Sequence, residues 1–377
     1  MDFGSGLGRA VPLAVLAGKA QSACDSTRYQ LSFAETNVRS ADRIPFIGNF
    51  GASVNLSVNI SRMKSRLVAI LCSWILLSSF SFAADNPDFT VKKLAEGVYA
   101  AVSGDGSKAG SNAGFIIGNN AVLVVDTFED VAPAKELLAE IRKVTNLPVK
   151  FVVNTHYHLD HTGGNAVFAQ AGATIVAQRN LPGWLHTENL KFFGPNPKPE
   201  AKARVEALVP PDLVYTKAVD IYLGSRVVHV RYMLGHTGGD SVVEIPDANV
   251  VFGGDLVWQK HLPNLIDATT DAWIKSLDTL LQEHPTATFV SGHGDIATPQ
   301  DVRDFHDYLI FLRDAVAKAQ AEGKSGQQVV DAVLPQLQEK YGSWGFFKAF
   351  STRNILQTAA ELKGEKKVPV PAEQSGN

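Results

Sequence analysis

A chain of 377 residues that is 45% hydrophobic and 19% charged, with a formal net charge of −3, holds enough apolar material for one large or two modest globular domains. These figures exclude a disordered or collagen-like chain. Lys/Arg and Asp/Glu are intermixed, so no basic stripe is available to neutralise phosphates, and small-molecule chemistry becomes the leading class over sequence-reading nucleic-acid binding.

In chain order, residues 1–62 show scattered Gly and Ser without a sustained period and read as an upstream, non-native or disordered extension. Residues 63–83 then read as a secretory signal peptide. Met63-Lys64-Ser65-Arg66 is its basic start, Leu67 to Leu77 its apolar run, and Ser81-Phe82-Ala83 its small-x-small cleavage site. The apolar run is too short for a comfortable membrane span, so the expected location is periplasmic or secreted, with no stable membrane insertion after cleavage. Both cysteines, Cys24 and Cys72, precede Ala83, so the processed chain has no disulfide and no thiolate ligand.

Residues 84–365 read as one domain. Phe89–Val102, Gly114–Ile117 and Ala121–Val125 read as strands, the last two forming a hairpin across Gly118-Asn119-Asn120. Pro133–Val144 has helical period, Val149–Val153 is a buried β run, and Gly164–Gln170 starts a helix. The Pro- and Lys-containing stretch 194–203 reads as a surface excursion. Further β segments follow at Asp220–Met233, Ser241–Ile245, Asn249–Phe252 and Thr288–Val290, with a helix at Ala272–Leu281. Residues 300–320, 326–340 and 345–363 are helical, and 366–377 is a polar tail expected to fray.

A weak internal repeat runs through these elements. Phe115 to Asp126 and Val243 to Asp255 both read strand, turn, strand, carboxylate; Phe151 to His156 and Phe289 to His293 both read strand, then histidine. Two related sheets would present their polar loops at one edge.

The chemistry concentrates at His156-Tyr157-His158-Leu159-Asp160-His161. Three imidazoles and a carboxylate directly after a buried strand cannot pack apolar surface, and alternate residues of an extended turn can converge on a cation at about 2.0–2.2 Å. This stretch resembles the HxHxDH motif of the metallo-β-lactamase superfamily. The resemblance extends over about residues 95–300, through His236 in Gly235-His236-Thr237-Gly238-Gly239-Asp240, Asp255 after Gly253-Gly254, His293 in Ser291-Gly292-His293-Gly294, and Asp126 at the end of an upstream strand.

The resemblance implies an α/β fold, an αββα four-layer sandwich with a C-terminal helical extension. It implies two zinc ions, one held by His156, His158 and His236, the other by Asp160, His161 and His293, with Asp255 bridging. Asp126 would be a hydrogen-bond acceptor orienting the histidine loop. Such a set is all nitrogen and oxygen, suits Zn²⁺ and leaves room for water, so metal-activated water would attack a carbonyl without a nucleophilic side chain. Asp160 and Asp255 are the candidate catalytic carboxylates, with Asp160 or a water as proton donor to the leaving group.

The expected activity is hydrolysis of a small molecule: a β-lactam-like cyclic amide, lactone, ester or thioester. The alternatives are a glyoxalase II-like thioesterase and a non-catalytic metal-containing periplasmic partner of a redox system. Where cysteine-using β-lactamases read Gly-Gly-Cys, this chain has Asp255, and where they place a lysine three positions later it has Trp258, with Lys260 two further on. Trp184, Phe192 and Phe193 either line a substrate mouth or pack on the adjacent helix. His186, His229, His261, His284 and His306 lack ligand spacing and read as surface or core residues.

Overall fold

β-branched and aromatic residues dominate the segments between Phe89 and Tyr215, and in the computed structural model, which describes residues 87–104 and 106–369, they form seven strands of one sheet. The strands are β1 (Phe89–Ala95), β2 (Val98–Ser103), β3 (Ala113–Ile117), β4 (Val122–Val125), β5 (Val149–Val153), β6 (Thr174–Gln178) and β7 (Leu213–Tyr215), side by side in sequence order. The segment read as continuous over Phe89–Val102 is two strands, paired antiparallel across Glu96 and Gly97. Antiparallel pairing continues to β4, and β4 to β7 are parallel. The proposed export signal and the extension before it lie outside the described residues, as does the tail from residue 370.

The second sheet is β8 (Ala218–Leu223), β9 (Arg226–Tyr232), β10 (Ser241–Ile245), β11 (Val250–Trp258), β12 (Thr288–His293) and β13 (Ile296–Ala297), in the order β13-β12-β11-β10-β9-β8. Only β11 and β12 pair in parallel. A parallel pair needs a crossover. Helix α1 (Val131–Val144) supplies it between β4 and β5, and a helix over Thr270–Glu283 supplies it between β11 and β12.

Three apolar layers hold the domain together. Val98, Ile116, Leu123 and Val153 of the first sheet meet Val228, Val243, Val250 and Phe252 of the second in a sheet-on-sheet core. The outer face of the first sheet, through Phe115, Val124 and Val152, packs on Leu137 and Ile141 of α1 and on Phe168. The outer face of the second, through Val242, Val251 and Phe289, is covered by the helical C-terminal part. The result is α/β/β/α layering.

The shorter helices are α2 (Leu159–Thr162), α3 (Asn165–Gln170), α4 (Leu181–Leu185) and α5 (Pro199–Glu206); the crossover over Thr270–Glu283 is α6, followed by α7 (Pro299–Ala321), α8 (Gln327–Tyr341) and α9 (Phe347–Leu362). The surface excursion at 194–203 thus gives way to a helix from Pro199. Proline is tolerated in the first turn, where its missing N–H has no intrahelical partner, and this is what composition alone misread. Helix α7 opens with a capping box in which Thr298 and Asp301 exchange side-chain and backbone hydrogen bonds. Lys366 is tied down: its Nζ donates to the Ala268 carbonyl at 2.5 Å. Among the described residues no helix is long and apolar enough to cross a membrane.

Candidate metal centre

The carboxyl ends of β5, β11 and β12 open toward one rim, and the loops there carry the polar residues. After β5 the chain runs through Asn154 and Thr155 into His156, His158, Asp160 and His161, the last two on the single turn of α2. His236 stands between β9 and β10, Asp255 lies within β11, and His293 ends β12. The structure brings all seven together. His156, His158, His236 and Asp255 present donor atoms all within 4.8 Å of one another, and Asp160, His161 and His293 do the same.

Asp255 joins the two groups. Its Oδ2 lies 3.1 Å from His236 Nε2 and 3.9 Å from His156 Nε2, while its Oδ1 lies 3.1 Å from His161 Nε2 and 3.4 Å from His293 Nε2. This placement depends on Gly292, because a Cβ there would stand 1.9 Å from Asp255 Oδ1.

The outer nitrogens of several rings are fixed by hydrogen bonds, which decides which lone pair faces inward. Asp126 accepts from the Thr155 N–H, the Thr155 hydroxyl and His161 Nδ1, each at 2.8 Å. With its proton given to Asp126, the Thr155 oxygen is free to accept from His156 Nδ1, 3.1 Å away. Both rings then turn Nε2 toward the cluster, and both of these buried atoms lack a hydrogen-bond partner there, as does Asp255 Oδ1. His158 is held from the other side, its Nε2 lying 3.3 Å from Asp267 and its Nδ1 3.1 Å from His236 Nε2.

Buried polar atoms left without hydrogen-bond partners are costly in an apolar setting, and such a cluster suits a cation. Burial, helped by the charge of His161, pushes His156 well below the ordinary histidine range; burial likewise brings His236 down to about 3, against the pull of Asp255. The second group behaves oppositely. Burial opposes protonation of His293 and His161, yet the charge of Asp255, with Asp160 beside it, raises His293 to about 9, and Asp160, Asp255 and Asp126 hold His161 well above its usual value. A cation entering the second group therefore displaces protons, whereas His156 and His236 of the first offer neutral rings.

Several contributors are absent from the sequence reading. Asp267 receives the Tyr157 hydroxyl at 2.5 Å and an ion pair from Lys191, besides touching His158. Asp240 accepts the Thr237 N–H at 2.8 Å and so shapes the turn that carries His236. Thr155 links Asp126 to His156. Asp240 and Thr155 stood within segments read from the sequence, Gly235 to Asp240 and Phe151 to His156, with no role assigned to either. The others are brought in by tertiary contacts with no sequence period.

A cavity of about 480 Å³ opens over the cluster, its floor formed by His158, Asp160, His236, Asp255 and His293. Phe192 and Phe193 line it, and the Phe192 ring meets His158 edge-on at 4.9 Å. Trp184 instead is buried and packs on Tyr157. Trp258 stacks on His293, with ring centroids 4.2 Å apart. The five histidines outside the motifs have other partners: His229 pairs with Asp220, His284 with Glu244 and His306 with Asp278, while His186 and His261 meet the carbonyls of Leu208 and Gln259.

Residues 107–293 match the family model described as the Metallo-beta-lactamase superfamily. Among curated proteins, the chain is 21% identical over 271 residues to a linear primary-alkylsulfatase of Pseudomonas sp. (strain ATCC 19151), an alignment covering 59% of this chain and 51% of that protein. The chain thus spans about half the length of that relative. It is 26% identical over 235 residues to a metallo-beta-lactamase type 2 of Pseudomonas aeruginosa, covering 60% of this chain and 86% of that one. A solved structure of a metallo-beta-lactamase from Pontibacter korlensis shares 24% identity with a TM-score of 0.48, over 59% of this chain and 98% of the other.

Proposed function

Because this chain belongs to the metallo-β-lactamase superfamily, whose members here include metal-dependent hydrolases, we propose that it is an exported hydrolase holding two zinc ions and cleaving a lactone, ester, thioester or cyclic amide. The observation that carries this reading is the placement of Asp255, with one carboxylate oxygen facing His156 and His236 and the other facing His161 and His293. The donor set of nitrogen and oxygen matches zinc, and the unpartnered buried atoms of His156, His161 and Asp255 supply the fit. His156, His158 and His236 would hold one ion and Asp160, His161 and His293 the other, with Asp255 shared between them. These residues would hold a divalent pair whose chemistry, when bound, would be to make hydroxide available at neutral pH and to stabilise the developing oxyanion.

The protein's own side chains do the rest. Asp126 and Asp267 fix the histidine rings from outside, so the donors need little reorganisation when substrate arrives. Asp160 has the most exposed side chain of the seven and lines the cavity, which supports its carboxylate, or a water beside it, as the group that relays a proton to the departing group. In the net reaction a hydroxyl adds to the acyl carbon, the bond to the leaving group breaks, and that group departs with the proton. Export rests on the pattern of residues 63–83, and an exported enzyme would meet lactones, esters and cyclic amides rather than a cytoplasmic thiol ester.

The test combines elemental analysis with a substrate panel. The purified protein should carry near two zinc ions per chain and hydrolyse at least one of a lactone, an ester, a thioester and a chromogenic β-lactam. A metal content near zero after zinc-replete purification would end the binuclear reading. Two bound ions without turnover on the whole panel would favour the non-catalytic alternative.

A further inference from the structure

Resting on that hydrolase reading, we propose that the C-terminal helices build the substrate-selecting wall of the site and that the preferred substrate is an uncharged ester or lactone carrying an extended apolar chain. The wall is made by the segment between α8 and α9. Gly345 N–H donates to the Lys260 carbonyl and Leu262 N–H to the Gly345 carbonyl, both at 2.9 Å, which zips this segment to the loop following β11. The next residue, Phe346, is forced into the left-handed region at φ 58°. A bulky aromatic residue there is an outlier, sustained only because its surroundings fix it.

The strain sets the ring of Phe346 over the site. Its centroid lies 5.7 Å from His293, 5.0 Å from His261 and 6.3 Å from Trp258, yet the residue remains 38% exposed, so it seals no core. Ala349 and Phe350, on the first turn of α9, continue the lining. With Trp258 they give an apolar surface on the His293 side, and Phe192 and Phe193 give another on the His158 side.

Charge narrows the substrate. Among the described residues neither Lys nor Arg lines this cavity; its carboxylates are Glu129, Asp160 and Asp255, and Lys191, next to Phe192 in sequence, is engaged by Asp267 and Glu188. A carboxylate at the far end of a substrate, away from the histidines, would find aromatic edges or Glu129 and no lysine or arginine to receive it.

The experiment measures kcat/KM of the zinc-loaded enzyme for p-nitrophenyl esters from acetyl to octanoyl, with a carboxylate-ended ester of octanoyl length beside them. Calorimetric binding of 2-butanone and 2-decanone supplies a readout that needs no turnover. Burial of each methylene should raise kcat/KM by about two- to fourfold, and the ketones should show the same trend. The carboxylate-ended ester should be the poorer substrate. Phe346→Gly removes the ring at a position where glycine is unstrained, so its thermal midpoint should equal or exceed that of the parent while its octanoyl-to-acetyl ratio falls by at least about tenfold.

A flat chain-length dependence, preference for the carboxylate, or an unchanged ratio in Phe346→Gly overturns the proposal while leaving the hydrolase reading intact. Absence of turnover on every ester, with ketone binding still dependent on chain length and on Phe346, overturns the hydrolase reading and leaves the apolar wall standing. Ketone binding indifferent to both overturns the wall even then.

Discussion

The two sheets carry the same local path and use it differently. In the first, β3 and β4 form an antiparallel pair, α1 crosses over, and β5 returns parallel to β4; in the second, β10 and β11, α6 and β12 repeat the pattern. Each path puts an aspartate after an apolar run and a histidine after the returning strand. Asp126 has its carboxylate taken up by Thr155 and His161, so it acts as a brace. Asp255 has an unpartnered oxygen and faces four imidazoles.

A one-residue offset accompanies this difference. In the first path the left-handed residue is Asp126 itself, at φ 57°; in the second it is Gly254, one position earlier, at φ 49°. The second chain then continues as strand to Trp258, while β4 stops at Val125. Gly254 also abuts Thr155, where a Cβ would come within 2.6 Å, so the brace of one half touches the turn of the other. Similar chain paths thus yield one carboxylate satisfied by its neighbours and one left with an unpartnered oxygen among imidazoles.

Replacing Asp255 should have the largest effect. Asp255→Ala removes a donor common to both groups, and we expect zinc content well below two per chain by elemental analysis, with kcat/KM lower by about a thousandfold or more. Asp126→Asn should be milder, about 10- to 100-fold in zinc affinity by competitive chelation, because it loosens His156 and His161 without deleting a donor. Equal losses in the two variants would erase the distinction between brace and donor.

Smaller effects probe the scaffold. The second sheet is covered by α7, whose start is capped, whereas α1 on the first sheet begins at Asp130 without a side-chain cap. Thr298→Ala should therefore cost about 0.5–2 kcal/mol in denaturant unfolding, and Asp130→Ala measurably less. The smallest expected effect is a pH dependence through Asp301. Partial burial opposes its ionisation, but hydrogen bonds from Thr298 prevail and hold its carboxyl below the ordinary range. A carboxylate depressed on folding contributes stability that is full above its unfolded pKa of about 3.9 and is lost as pH falls through the folded value. Asp301→Asn should accordingly flatten the acid limb of the unfolding curve slightly, and an unchanged limb would remove Asp301 from the account.

Much of the site was legible in the sequence because its residues crowd into short motifs at strand ends: His156 to His161, His236, Asp255 and His293. In the structure His156, His158, His236 and Asp255 form one group of donors and Asp160, His161 and His293 another. The layered fold was legible too, since apolar runs of period two or 3.6 mark most strands and helices. Asp267 was not, because it lies in an aperiodic loop and matters only where that loop meets His158. Nor was the role of Phe346, since nothing in a Phe marks a left-handed backbone. Helix α5 was hidden by a proline that composition treats as a breaker, and β7 by its three-residue length.

Drawing donors from strand ends of both sheets has a consequence for assembly. Neither half of the domain possesses the full constellation, so it comes into being only when two layers separated by a long stretch of chain have docked, a step governed by loop closure rather than by local propensity. Any ion that favours the finished arrangement then acts as a clasp on that docking. Its concentration in the surroundings would then shift the balance toward the closed sandwich by mass action.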